Sequence, residues 1–169
     1  PAALSEEKIV EIGRECRRYF HAHPEISTQE AETSAKIFSL LEEWGLSPVR
    51  GTGHYGVAAT LKGKSEGPLI ALRADMDALS VREETGLPFA SQNEGVMHAC
   101  GHDGHVTMLL GAAKYLAETR NFAGTVALIF QPAEEDGGGG QVMVQEGIMD
   151  RFGIGQVYGI HNAPNVPFG

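Results

Sequence analysis

The chain has little cysteine, a single tryptophan and no long apolar run. Its 169 residues include two cysteines, Cys16 and Cys100, in unlike surroundings. That pattern excludes a disulfide framework and makes a reducing, cytoplasmic compartment the expectation. No stretch reaches the roughly 18 consecutive apolar residues that a membrane span needs, and the N-terminus lacks the charged, apolar and small-residue order of a secretory signal. Basic residues are also scarce: 13 Lys and Arg against 22 Asp and Glu leave a formal charge of -9, with no basic cluster. Nucleic acid and anionic membranes are therefore not expected partners. Hydrophobic residues make up 42% of the chain, enough for one domain with its own core.

Periodicity supplies the elements. Ile9, Ile12, Cys16, Tyr19 and Phe20 share one helical face over residues 5–20, and Pro24 ends the pattern. Ser27 and Glu30 stand as a capping box before a second amphipathic helix, with Ile37, Leu40, Leu41 and Trp44 along its stripe and Gly45 as its stop. Residues 56–63 and 67–77 are glycine-bounded apolar runs that read as neighbouring strands. A helix over 106–120, a strand over 123–132, a helix containing 142–149 and a strand over 154–162 complete the chain. Apolar runs that scarcely alternate, separated by helices, predict an α/β architecture, a layered sheet with helices on both faces. Polar residues gather just beyond the strand ends, at Asp75 and Asp77, Cys100–His105, Glu134 and Glu135, and His161, where open α/β sheets carry their sites.

The densest group is MHACGHDGH at 97–105, with three of the seven histidines and one of the two cysteines. Cys100 and His102 can approach one metal ion across Gly101, although a C-x-H pair alone is a weak signal. Helix capping with a buried thiol, or a Cys–His nucleophile at a helix start, are the competing readings. Glu134 and Glu135 are consecutive acids that repel each other unless a cation or separate roles compensate. In extended backbone they point apart, so one can bind metal while the other takes a proton from an attacking water, the division metal-assisted amide hydrolysis requires. A solvated acidic loop is the plain alternative. His161 ends a strand-like run, and Asp75 can orient a histidine ligand through its second ring nitrogen, with Asp103 and His105 as further supporting candidates. His21 and His23 read as structural or substrate-edge residues, and His54 as a loop residue.

Four ordered motifs carry a resemblance: RADMDAL at 73–79, MHACGHDGH at 97–105, FQPAEE at 130–135 and GIHNAP at 159–164. Together they resemble the metal-dependent amidohydrolases of the aminoacylase and carboxypeptidase superfamily, in the branch of hippurate hydrolase, N-acyl amino acid amidohydrolases and auxin-conjugate hydrolases. HAHPEIS at 21–27 resembles that branch's N-terminal signature. The resemblance implies a zinc-peptidase-like catalytic domain built on a mixed sheet. It also implies two divalent metal ions, drawn from zinc, manganese, cobalt or nickel, held by Cys100, His102, Glu135 and His161, with Cys100 bridging. Glu134 would be the general base and then the acid that protonates the leaving amine. Arg73 stands where related branches place a histidine ligand, a loss compensated by His102.

The implied reaction is hydrolysis of N-acyl amino acids or related short amides. Full-length members of the family interrupt the catalytic domain with a lid or dimerisation domain and return with a further histidine ligand. Residues 1–169 therefore read as the N-terminal part of that domain, inactive or nearly so alone, from a protein expected to form a homodimer or homo-oligomer. The rival classes are a non-catalytic metal-binding or partner-binding relative and a Cys–His thiol hydrolase.

Overall fold

A computed structural model describes residues 5–167; residues 1–4, at the head of the segment read for a secretory signal, and 168–169 lie outside them. Helix α1 (Glu6–Ala22) opens with Ser5, whose hydroxyl accepts the Lys8 amide at 3.3 Å. Helix α2 (Ala31–Glu43) ends before Gly45, whose φ of 77° takes the chain through the left-handed region. The expected capping box does not form. Glu30 is the N-cap, but its side chain makes no cap bond, because both Ser27 and Glu30 are drawn into the functional site described below.

Five strands follow: β1 (Val49–Thr52), β2 (Gly56–Lys62), β3 (Ser65–Asp75), β4 (Ala123–Gln131) and β5 (Val157–Gly159). Helix α3 (His102–Thr119) separates β3 from β4, and α4 (Gly139–Gln145) and α5 (Ile148–Phe152) separate β4 from β5. The expected helix around 142–149 is thus two short helices, broken at Gly147 with φ 83°. None of the described helices is long and apolar enough to cross a membrane.

The sheet order is β1-β2-β4-β3-β5. β1 and β2 pair antiparallel, as do β2 and β4, while β3 runs parallel to both β4 and β5. β2 and β3, expected to be neighbours, are separated by β4. The residues linking them pair with the approach to β4 instead: the Gly63 amide donates to the Gly124 carbonyl and the Lys64 amide to the Phe122 carbonyl, each at 2.9 Å. This splays the two strands and leaves a slot that β4 fills.

Both faces are covered at the central strands β2 and β4, as their apolar runs require. Val57, Ala59 and Leu61 of β2 and Val126, Leu128 and Phe130 of β4 face a core with Cys16 and Phe20 of α1, Ile37 and Leu41 of α2, and Leu110 of α3. The intervening Ala58, Ala127 and Ile129 face Met143 of α4 and Ile148 of α5. Alternation is present, but both alternating sets are apolar.

Candidate metal centre

Three parallel strands set the location of the site. Because β3, β4 and β5 share a direction, their C-terminal ends emerge on one edge, with Asp75 paired to Gln131 and Arg73 to Gly159. That pairing delivers Asp75, Glu134, Glu135 and His161 to the same rim. The N-terminus of α3 reaches it from the covering layer and brings His102 and His105, which lie in the first turn of a helix that starts earlier than its apolar periodicity indicated. Gly101 makes the turn possible: its φ is 92°, and a Cβ there would sit 2.6 Å from Asn162 Oδ1.

His102 is the hub. Its ring is 0% exposed, and its Nδ1–H donates to the Asp77 carbonyl at 2.9 Å and faces Asp77 Oδ1 at 3.2 Å. Nε2 is consequently turned toward the centre, where it is buried and has no hydrogen-bond partner. Asp75 Oδ1 lies 3.5 Å from it, Glu135 Oε1 3.7 Å and Glu134 Oε2 3.8 Å. Burial alone would lower the His102 pKa, but the bond to Asp77 and the charges of Asp75, Asp77 and Glu135 outweigh it and raise the value.

Two donor sets share this residue. Cys100, His102 and Glu135 form one; Asp75, His102, His105 and His161 form the other, with the donor atoms of each set within 4.8 Å of one another. His161 Nδ1–H donates to the Asn162 carbonyl at 2.7 Å, which turns the Nε2 lone pair toward Cys100 Sγ, 3.6 Å away. The chain is thus organised to hold two metal ions. The chemistry of the set fits them: sulfur, imidazole and carboxylate donors suit borderline divalent ions, and an orphaned buried nitrogen among carboxylates is a position a cation satisfies.

The surrounding groups orient these donors. Asp75 spends both oxygens, accepting His105 Nδ1–H at 2.6 Å and Arg73 Nη1–H at 2.7 Å. His105 Nε2 accepts the Asn162 amide at 3.0 Å, so both its ring nitrogens are engaged and it links β3 to the segment carrying His161. Asp103 faces the other way, toward α1, with His21 Nδ1 at 2.8 Å and Arg17 Nε at 3.4 Å from its Oδ2. His21 Nε2 in turn meets Glu83 at 3.1 Å, so both its ring nitrogens are engaged by carboxylates of the fold. His23 bonds the Tyr19 carbonyl at 2.8 Å and stacks on that ring, and His98 is a buried core residue whose pKa burial depresses to about 4.

Burial, a bond to Glu135 and the charges of Glu135, Glu134 and Asp75 push the Cys100 thiol up to about 12. A thiol nucleophile needs the opposite shift. Asp77, left without a role among the sequence candidates, proves central. Burial would raise its pKa, but bonds from His102, Ser27 and the Glu135 and Glu134 amides hold it at about 2. The signal for it was the second carboxylate of the D-x-D pair closing β3.

Known proteins resemble this chain in sequence and in fold. Residues 71–169 match the sequence pattern of peptidase family M20/M25/M40. The N-acetyl-L-cysteine deacetylase of Bacillus subtilis (strain 168) is 49% identical over 155 residues, which are 90% of this chain and 36% of that protein. Hippurate hydrolase of Campylobacter jejuni is 46% identical over 148 residues, 88% of this chain and 38% of the relative. A crystal structure of a dinuclear metal-binding peptidase of the M20 family from Bacillus subtilis aligns with a TM-score of 0.89 at 42% identity, over 96% of this chain and 46% of that one. The chain therefore spans 36–46% of the length of these proteins. With the pattern covering more than half of its residues and the donor geometry in agreement, the chain belongs to peptidase family M20/M25/M40.

Proposed function

We propose that this chain is the N-terminal, metal-holding part of the catalytic domain of an amidohydrolase that cleaves N-acyl amino acids or related short amides to a carboxylate and a free amino acid. The observation that carries this reading is the buried His102 imidazole, which has Cys100 and Glu135 on one side and His161 on the other, with Glu134 Oε2 3.8 Å from it. Cys100, His102, Glu135 and His161 would be the ligands, because their donor atoms converge on one another around the unpartnered His102 Nε2. Asp75 and His105 would act as supports, since their polar atoms already serve each other, Arg73 and Asn162. The ions, of the zinc, manganese, cobalt or nickel type, would supply Lewis-acid polarisation of the scissile carbonyl and of the attacking water.

The chain's own part is proton transfer and orientation. The Glu134 side chain is 39% exposed, open enough to meet water and substrate, and adjacent in sequence to a ligand that faces inward. As general base it takes a proton from water, and as general acid it returns that proton to the departing nitrogen. The relatives that deacetylate N-acetylcysteine or hydrolyse hippurate support an acyl-amino-acid substrate. The two free thiols among the described residues suit a reducing, cytoplasmic setting.

The rest of the protein would build on the β5 edge. Val157, Tyr158 and Ile160 are exposed there beside an apolar recess lined by Leu72, Met108 and Ala112, which suits burial under further chain. A lid and a dimer interface would belong to that remaining part. The test is Glu134→Gln in the full-length protein. It should keep two metal ions per chain by elemental analysis and lose about 100-fold or more of its turnover on N-acetyl and N-benzoyl amino acids. Wild-type turnover by the variant would overturn the assignment of the base, and an inactive but metal-loaded wild type would favour the non-catalytic relative.

A further inference from the structure

The turn that carries Glu134 and Glu135 is held from outside itself. The Ala133 amide donates to Glu30 Oε1 at 2.7 Å, the Glu135 amide to Asp77 Oδ2 at 2.9 Å, and the Asp136 amide to Ser27 Oγ at 3.0 Å. Ser27 also donates its hydroxyl proton to Asp77 Oδ2 at 2.6 Å, so the segment before α2 and the end of β3 close around the turn as one clamp. Glu30 is 0% exposed, and its second oxygen, Oε2, has no hydrogen-bond partner. A carboxyl group buried with one oxygen unpartnered costs stability, so packing alone does not account for it.

We propose that Glu30 and Ser27 are positioning residues for Glu134, acting through the backbone amides of Ala133 and Asp136 on either side of the acidic pair. This rests on the proposed role of Glu134 as base. Two facts make the anchors necessary. The Glu134 side chain is too exposed for packing to place it, and the turn runs straight into four consecutive glycines, Gly137–Gly140, which offer the backbone many alternatives. Ala133, at φ 51°, is a non-glycine residue in the left-handed region, and Glu30 is bonded to its amide. A displacement of about 1 Å at a proton-transferring group is enough to cost on the order of 100-fold in rate.

The experiment compares Glu30→Ala, Glu30→Gln and Ser27→Ala with wild type in the full-length, metal-loaded protein. It measures kcat and KM on an N-acetyl amino acid, metal content, and amide hydrogen exchange of the 131–138 segment. For Glu30→Ala we expect kcat down by about 30- to 100-fold with KM within about 3-fold, two ions retained, and exchange at 131–138 faster by about 10-fold or more while β3 and β4 stay protected. Glu30→Gln keeps an acceptor for the Ala133 amide and should recover kcat to within about 5-fold of wild type, and Ser27→Ala should fall between. Equal loss in Glu30→Gln and Glu30→Ala, or unchanged exchange at 131–138 in both Glu30→Ala and Ser27→Ala, overturns the proposal. If Glu30→Ala does not fold, unchanged exchange at 131–138 in Ser27→Ala, or a larger loss of kcat in Glu30→Gln than in Ser27→Ala, overturns it. Absence of turnover in wild type would sink the amidase reading, and the exchange measurement would still decide whether the clamp holds the turn.

Discussion

Asp75 and His105 meet at 2.6 Å, the carboxylate oxygen accepting from Nδ1, and the other ring nitrogen of His105 accepts the Asn162 amide at 3.0 Å. One imidazole thus connects the end of β3 to the segment that presents His161. Asp75→Asn replaces an acceptor oxygen by an amide that cannot be relied on to face Nδ1–H, and removes a negative charge beside His102. Metal affinity in the full-length protein should fall by about 10- to 100-fold. Competition with a chelator of known affinity measures it, and an unchanged dissociation constant would show that this pair does not support the centre.

Asp77 makes stability depend on acidity. Its pKa in the folded chain, about 2, lies below the ordinary 3.8, so the folded state favours the carboxylate. The resulting stabilisation is fully present above about pH 4 and is lost as pH falls through about 2. Its size at neutral pH is on the order of 2 kcal/mol. Urea unfolding of metal-free wild type and Asp77→Asn should show a gap of that order at pH 6 that narrows between pH 4 and pH 2. A gap constant across that range would mean the carboxylate's charge is not what matters.

Gly101 allows the chain to turn into α3 directly behind Cys100. Its φ of 92° disfavours any side chain, and a Cβ would press on the Asn162 side chain at 2.6 Å. Gly101→Ala should destabilise the protein by about 1–3 kcal/mol and displace the segment carrying His161. A lowered melting temperature together with weakened metal binding is the expected pair of results. A melting temperature equal to wild type would contradict the strain argument.

The elements were legible where local pattern decides structure. The helical stripe of Ile9, Ile12 and Cys16, the glycine stop at Gly45, and the apolar runs of β2, β3 and β4 all have short-range causes. Cys100, His102, Glu134, Glu135 and His161 stood out because so few side chains can hold metal or move protons at neutral pH.

What tertiary structure alone decided depends on pairing over long sequence distance. Nothing local distinguishes β2 beside β3 from β2 beside β4, and the Gly63 and Lys64 bonds to the approach to β4 settle it. Ser27 and Glu30 have the spacing of a helix cap, but a carboxylate and a hydroxyl bond to whichever amides arrive within reach. In the folded chain those are the amides of Ala133 and Asp136, more than 100 residues away. Asp77, one of two similar carboxylates in the sequence, became the joint between His102 and Glu135 because the end of β3 sets its two oxygens against both. Residue chemistry thus determined which groups could serve the site, and the parallel course of β3, β4 and β5 determined that they meet.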